Sequence, residues 1–146
     1  MCPVLAHSKF ASSKSYEGCP TAGIEQLRAM AKSFPGCNWA LATGSLSGVI
    51  ALQVDGESGH AALGRLCYGD TEWCHTLQAY AGTTHYIYFA APGRGKRIRY
   101  IAGFADLKMH VGTFVLVPPS WLVSGVRFRY LDLDAEVAAT PDWLLM

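Results

Sequence analysis

The amino-acid sequence predicts an α+β fold in which helices cover a largely antiparallel sheet. In its first half, two segments with apolar residues at helical spacing flank a run of β-branched and aliphatic residues. In its second half, several short strand-like segments are each bounded by glycine or proline. Closely spaced short strands are typical of an antiparallel sheet. Helices with one apolar face bury that face against another element, which here is the predicted sheet.

The first helix is predicted after an irregular segment, residues 1–20, in which a short strand is expected at residues 3–6. Thr21 is the expected N-cap, because its hydroxyl can accept a hydrogen bond from the first helical turn. Apolar residues then follow at helical spacing, namely Ile24, Leu27, Ala31 and Phe34. Pro35 and Gly36 end this helix.

The central strand of the prediction runs between Gly48 and Gly56, and a second helix is predicted at residues 57–67. Side chains alternate across a strand, so Gln53 and Asp55 project from the same face near its end. Two polar groups placed in this way can form a metal or catalytic site. Alternatively, Asp55 begins the turn before Gly56 and Gln53 faces solvent.

The remaining elements are short strands and an anchored terminal segment. The predicted strands are residues 39–42, 77–81, 84–90, 96–102, 113–117 and 127–131. A helix is expected to begin at Asp134 and to be interrupted before Pro141. Trp143, Leu144 and Leu145 are then expected to pack back onto the body of the protein.

Length and composition bound the protein class. The chain of 146 residues is predicted to be one domain, residues 1–146. Its 51% hydrophobic content excludes an intrinsically disordered protein. The net charge of +1 argues against a protein that coats nucleic acid through its overall charge, but it does not exclude a local basic patch. Because no signal peptide and no membrane-length apolar run is recognisable, we expect a cytoplasmic protein without membrane contact.

The cysteines are odd in number, irregularly spaced and without a C-x-x-C pair. They are Cys2, Cys19, Cys37, Cys67 and Cys74. Cys67, Cys74 and His75 could start a zinc site, but a fourth ligand at suitable spacing is missing. We therefore expect free thiols and no structural zinc.

His85 and Asp106 are further candidate site residues. His85 begins an alternating strand and shares a face with Ile87 and Phe89, a position more often filled by a core histidine than by a ligand. Asp106 lies between two strand-like segments, where acidic residues commonly serve turns. Together with Asp55, these residues are a histidine and two acids at strand ends.

Cationic residues are concentrated in the second half of the chain. A nucleic-acid-binding surface is predicted from Arg94, Lys96, Arg97, Arg99, Arg127 and Arg129. Guanidinium groups bind phosphate oxygens in a bidentate fork, and neighbouring aromatic rings can stack on bases. The alternative is a solvated hairpin whose arginines maintain solubility.

Several motifs occur in an order that identifies a family. They are Thr43-Gly44, residues 47–56 (SGVIALQVDG), residues 84–89 (THYIYF), residues 105–108 (ADLK) and residues 113–120 (TFVLVPPS). In this order and spacing the chain resembles the bifunctional DNA primase-polymerase (Prim-Pol) domain of the archaeo-eukaryotic primase superfamily. Members occur in phage, plasmid and mobile-element replication proteins. The resemblance implies an RRM-like antiparallel sheet joined to a smaller α/β part.

The resemblance also implies template-directed nucleotidyl transfer at a two-metal site that uses Mg²⁺ or Mn²⁺. It assigns catalysis to Asp55, His85 and Asp106. It assigns metal binding to Gln53, Asp55 and Asp106, and binding of nucleotide phosphates to Thr83, His85, Lys108 and Ser120. The implied partners are nucleoside triphosphates, single-stranded or primed DNA, and a replicative helicase on a separate chain. These roles predict that Gln53, Asp55, His85 and Asp106 converge on one cleft.

One departure from the family pattern bears directly on function. Gln53 stands where the family has its first acid, which removes one negative charge from a site that must gather two dications. Two functions therefore stay open. One is a primase-polymerase domain that is active or weakened by Gln53, and the other is a non-catalytic relative that binds nucleotide or single-stranded DNA in a replication assembly.

Overall fold

The computed structural model describes residues 2–4, 23–99, 101, 104 and 106–146. The helices in these residues are α1 (Ile24–Ser33) and α2 (Gly56–Leu66), with 3-10 turns at Glu72–His75 and Asp142–Leu144. The strands are β1 (Cys2–Val4), β2 (Asn38–Ala42), β3 (Val49–Asp55), β4 (Gln78–Ala81), β5 (Thr84–Ala90), β6 (Leu107–His110), β7 (Phe114–Val117), β8 (Arg129–Tyr130) and β9 (Ala138–Ala139).

The strand β3 lies inside the larger sheet. Among the described residues, this sheet has the order β6-β3-β5-β4-β8, with β9 paired to β5. All pairs along that order are antiparallel, and the β5–β9 pair is parallel. The aliphatic run of β3 is explained by this position, because a central strand covered on both faces needs apolar side chains in both directions.

The smaller sheet, with the order β1-β2-β7, packs on one face of the larger sheet. Ala40 of β2 and Val115 of β7 are buried in a cluster with Ala51, Tyr86 and Tyr88 from the larger sheet. Small residues facing large aromatic residues fill the space between two sheets without voids. The smaller sheet therefore forms one wall above Gln53 and Asp55.

Helix α2 covers the opposite face of the larger sheet. Its buried side chains Ala62, Leu63 and Leu66 join a core cluster with Leu52 of β3 and Ile87 of β5. Trp143 and Leu144 are buried in the same cluster, which confirms the prediction that the terminal segment packs back onto the body. Burial of apolar side chains on both faces is what holds the larger sheet between its two layers.

The observed elements confirm the predicted α+β class, both helices and most of the strands. The helix expected at Asp134 is wrong, because that segment is extended and contributes β9. The expected strand at residues 96–102 is also wrong in its described part, where only Ile98 forms an isolated bridge, with Leu145. The prediction missed β6, and the predicted N-cap Thr21 lies outside the described residues. In the described part of the chain, no helix has the length and apolar character needed to cross a membrane.

Candidate functional site

Gln53 and Asp55 lie together at the end of β3, on the face toward the smaller sheet. Strand alternation brings them side by side, and the Nε2 of Gln53 donates to the Oδ2 of Asp55 at 2.6 Å. Thr84, the β5 partner of Asp55, donates its hydroxyl to the Oδ1 at 3.0 Å. Gly56 follows with a φ of 63°, which glycine adopts without steric cost, and the chain turns directly into α2. Both oxygens of the Asp55 carboxylate therefore accept hydrogen bonds from side chains.

His110, the last residue of β6, extends this pair into a longer hydrogen-bond chain. Its Nε2 lies 2.8 Å from the Oε1 of Gln53, and its Nδ1 lies 3.2 Å from the Oγ1 of Thr113. A carboxylate only accepts hydrogen bonds, so Gln53 presents its N–H to Asp55 and its oxygen to His110. It follows that His110 donates from Nε2.

A cavity of about 230 Å³ opens between the two sheets beside this network. Its polar lining comes from Gln53, Thr84, Tyr86, Lys108 and His110. Tyr86 is buried, and burial raises the pKa of its phenol to about 12, with the charge of the Asp55 carboxylate acting in the same direction. The phenol therefore keeps its proton near neutral pH and can donate a hydrogen bond.

His85 lies on the other face of the larger sheet, beneath α2. In the register, Val54 pairs with His85, so the imidazole projects away from Asp55. The ring is stacked on Tyr80 at a centroid distance of 3.9 Å and on His60 at 5.2 Å. Its Nε2 lies 2.8 Å from the Oε1 of Gln78. The predicted convergence of His85 with Asp55 on one cleft is therefore not met.

The environment of His85 is that of a neutral core histidine. Burial lowers the pKa of its imidazole to about 4, and the neighbouring His60 acts in the same direction. Gln78 uses its Nε2 to donate to the carbonyl of Cys74, so its oxygen accepts from the Nε2 of His85. The Nδ1 of His85 has no hydrogen-bond partner among the described residues.

Asp106 lies beside Asp55 through its backbone. The N–H of Asp55 donates to the carbonyl of Asp106 at 2.9 Å, immediately before β6 begins. On the α2 side, a Cβ placed on Gly59 would lie 2.8 Å from that carbonyl and 3.4 Å from the Cβ of Asp106. The backbone of Asp106 is thus fixed between the end of β3 and the first turns of α2.

Comparison with known families decides the family of this chain. The family model of the bifunctional DNA primase/polymerase N-terminal domain (Prim-Pol) matches residues 1–143. The chain belongs to this family. A search of curated proteins found no match. Membership of the Prim-Pol family indicates a primase/polymerase-type function and interaction with nucleotides and DNA.

The residues at the Prim-Pol motif positions do not fit the two-metal group that the family resemblance implies. In the described part of the chain, His, Cys, Asp and Glu side chains form no cluster of three or more that could hold a metal ion. Thr84 and Gln53 donate to the two oxygens of Asp55, and the Gln53 oxygen is directed at His110. Two dications need several oxygen ligands converging on shared positions, which the described residues around Asp55 do not offer.

The residues predicted to bind nucleotide phosphates have different surroundings. Thr83 is exposed, and its carbonyl accepts from the N–H of Gly56 at 3.0 Å. Lys108 is exposed on β6, directly opposite Gln53 in the register. Ser120 is buried, and its hydroxyl both accepts from the N–H of Trp39 and donates to its carbonyl. Of the three, Lys108 borders the cavity beside Gln53.

The predicted cationic surface is divided between two regions of the larger sheet. Lys96, Arg97, Arg99 and Lys108 line a second cavity, of about 800 Å³, with an apolar floor that includes Ile50 and Met109. This cavity adjoins β6, which is one edge of the sheet, whereas Arg129 lies on β8 at the other edge. Arg127 stacks over Trp121 at 5.6 Å and donates to the carbonyl of Pro119.

Sequence reasoning missed His110 and Thr84 as members of the network. Thr84 could have been found only from the β3–β5 register, in which it faces Asp55. His110 could have been found from the alternation of residues 106–110, had that segment been recognised as a strand. Each residue is brought to the site by strand pairing, which a pattern within one segment does not reveal.

Proposed function

We propose that this Prim-Pol domain serves DNA replication by binding nucleoside triphosphates and single-stranded or primed DNA, while its capacity for template-directed synthesis is impaired. The observation that carries the impairment is the 2.6 Å hydrogen bond from the amide of Gln53 to Asp55. In the family pattern an acid occupies the position of Gln53. Here an N–H donor contacts the carboxylate that would otherwise face a cation.

The cationic cavity beside β6 supports the DNA-binding part of the proposal. This cavity is lined by three cationic residues close together in sequence, Lys96, Arg97 and Arg99. Lys108 of β6 lines the same cavity. Backbone hydrogen bonds to the terminal segment fix this stretch, from the N–H of Arg99 to Leu144 and from the N–H of Met146 to Arg97. Because the backbone is already held in place, little conformational entropy is lost when these cationic side chains bind successive phosphates.

Lys108 connects the cationic cavity to the Asp55 network. It lines both the 800 Å³ cavity and the 230 Å³ cavity, so a strand of DNA along β6 would pass close to Gln53. This proximity supports binding of both nucleotide and DNA by one region of the domain. Arg127 and Arg129 are not part of that region, and we assign them no DNA contact.

The proposal is tested by measuring binding and synthesis on the same sample. Fluorescence anisotropy of a labelled primer-template is followed as the unaltered chain is added, and dNTPs with Mn²⁺ are then supplied to the saturated complex. We expect saturable, salt-sensitive binding and a primer that stays at its original length. Absence of binding at low ionic strength would overturn the proposal, and so would efficient extension by the unaltered chain.

A further inference from the structure

The Gln53–His110 contact has a chemical direction that follows from its neighbours. Asp55 accepts from the amide, so the amide oxygen is directed at His110 and accepts from the Nε2 of that imidazole at 2.8 Å. On its other side, the Nδ1 of His110 contacts the hydroxyl of Thr113, which can donate or accept. The orientation of the amide is therefore set by Asp55, and the Nε2 of His110 is the donor that matches this orientation.

We propose that His110 is a positioning residue that holds the Gln53 amide with its N–H toward Asp55 and thereby keeps this carboxylate closed to divalent cations. A cation shared by Gln53 and Asp55 would need the amide oxygen beside Oδ2. That arrangement requires the amide to turn by half a revolution, so that its NH₂ group meets the N–H of His110. The hydrogen bond between these side chains is then broken, unless the imidazole moves its proton from Nε2 to Nδ1 and the hydroxyl of Thr113 accepts it there.

The amide N–H thus lies where a cation shared by Gln53 and Asp55 would contact the carboxylate. Its N–H carries a partial positive charge, and at 2.6 Å it occupies the side of Oδ2 that faces Gln53. Thr113 is held in turn by Thr43, whose hydroxyl donates to its carbonyl at 2.9 Å. The residues that follow β2 and precede β7, Thr43 and Thr113, therefore hold the imidazole of His110 in position.

This inference rests on the proposed function only in treating Asp55 as the carboxylate at the family's metal position. Its tests use no DNA and no nucleotide. A failure of DNA binding would leave the inference standing, and a failure of the tests below would leave DNA binding standing.

The first test reads the imidazole directly in the metal-free protein. Nitrogen-15 NMR of the histidine rings distinguishes a protonated Nε2 from an unprotonated one. We expect the Nε2 of His110 to carry a proton and one Gln53 side-chain N–H to be strongly shifted by its bond to Asp55. An unprotonated Nε2 on His110 would overturn the proposal, whether or not any variant folds.

The second test measures Mn²⁺ binding by the decrease of the free-ion EPR signal. In His110→Gln the new amide can donate or accept, so it tolerates either orientation of Gln53. We expect Mn²⁺ to bind roughly tenfold more tightly than to the unaltered chain, since one favoured hydrogen bond commonly corresponds to about that factor. The matched control is His75→Gln, an exposed histidine in the 3-10 turn, for which no change is expected. Equal Mn²⁺ affinity in His110→Gln and the unaltered chain would overturn the proposal, because a merely structural histidine gives no gain of affinity when replaced.

Discussion

Asp55 and His85 lie on opposite faces of the β3–β5 strand pair, although their positions in the register differ by a single residue. Asp55 pairs with Thr84, and His85 pairs with Val54. The imidazole therefore belongs to the layer under α2, where it contacts Tyr80 and Gln78. A residue in that layer contributes to stability, and its titration makes the free energy of unfolding depend on pH.

The free energy of unfolding should fall as the pH is lowered from about 6.5 to about 4, through the titration of His85. Burial lowers the pKa of His85 in the folded state to about 4, from the ordinary value of 6.5. Between these values the unfolded chain binds a proton that the folded chain does not, so acid favours unfolding. The decrease attributable to His85 is on the order of 3 kcal/mol over this interval.

Urea denaturation at pH 7 and pH 4.5 measures this decrease in the unaltered chain and in His85→Gln. The variant is expected to be less stable at pH 7 but to show a shallower dependence on pH. His75→Gln, which removes an exposed imidazole, should keep the slope of the unaltered chain. An unchanged slope in His85→Gln would show that other groups are responsible.

Gly59→Ala should destabilise the protein, because α2 approaches the backbone of Asp106 at this residue. A Cβ on Gly59 would lie 2.8 Å from the Asp106 carbonyl, which also accepts from the N–H of Asp55. We expect the free energy of unfolding to fall by about 1–3 kcal/mol, as is usual for overpacking at a buried contact.

Gly64→Ala is the matched control for Gly59→Ala in the same helix. Gly64 is exposed, and a Cβ there would meet nothing within 4 Å. Alanine should stabilise α2 by about 0.5–1 kcal/mol through its higher helix propensity. Thermal or urea unfolding of both variants gives the comparison, and equal effects of the two substitutions would refute the close contact at Gly59.

Ser120→Ala should lower stability and leave nucleotide affinity unchanged. The Ser120 hydroxyl accepts from the N–H of Trp39 at 2.7 Å and donates to its carbonyl at 2.9 Å. Removing it leaves two partly buried backbone groups of Trp39 in β2 without this partner, which costs about 1–3 kcal/mol. Ser124→Ala, at an exposed serine nearby in sequence, should have no effect on unfolding. A weaker affinity for dNTP with normal stability in Ser120→Ala would instead support the nucleotide-binding role predicted from the family resemblance.

The paired substitution Arg97→Ala/Arg99→Ala should weaken binding of single-stranded DNA and reduce its salt dependence. These arginines line the cationic cavity beside β6. The slope of log affinity against log salt should decrease by about 0.7 for each phosphate that the protein no longer neutralises. Arg127→Ala/Arg129→Ala removes the same charge at the other end of the molecule's larger sheet and should change the slope little. Equal reductions of affinity in the two double variants, measured by anisotropy, would mean that only net charge matters.

The strands β3 and β5 were predicted correctly because their amino-acid composition clearly favours a strand over a helix. Both are aliphatic or aromatic runs between turn residues, and alternation within β3 was sufficient to place Gln53 beside Asp55. The prediction failed where the answer depends on how strands pair. The face of His85 follows from the β3–β5 register, and a change of one residue in that register would move it to the other side.

The other failures also arise from long-range contacts. His110 and Gln53 are 57 positions apart and meet only because β6 pairs with β3. The segment after Asp134 lacks a helix because its backbone bonds elsewhere, from Leu77 to Glu136 and from Ala138 to Thr76. Such tertiary hydrogen bonds override the weak helix propensity of a short segment.

The most direct test of the central claim is primer extension by Gln53→Asp, compared with the unaltered chain and with Asp55→Ala, in Mn²⁺ and dNTPs. The replacement removes the amide donor and restores the acid of the family pattern beside Asp55. We predict extension by Gln53→Asp and none above the Asp55→Ala background by the unaltered chain, at concentrations where all three bind the primer-template. Extension by the unaltered chain that disappears in Asp55→Ala would contradict the account, because it would show that the Gln53 site already supports synthesis.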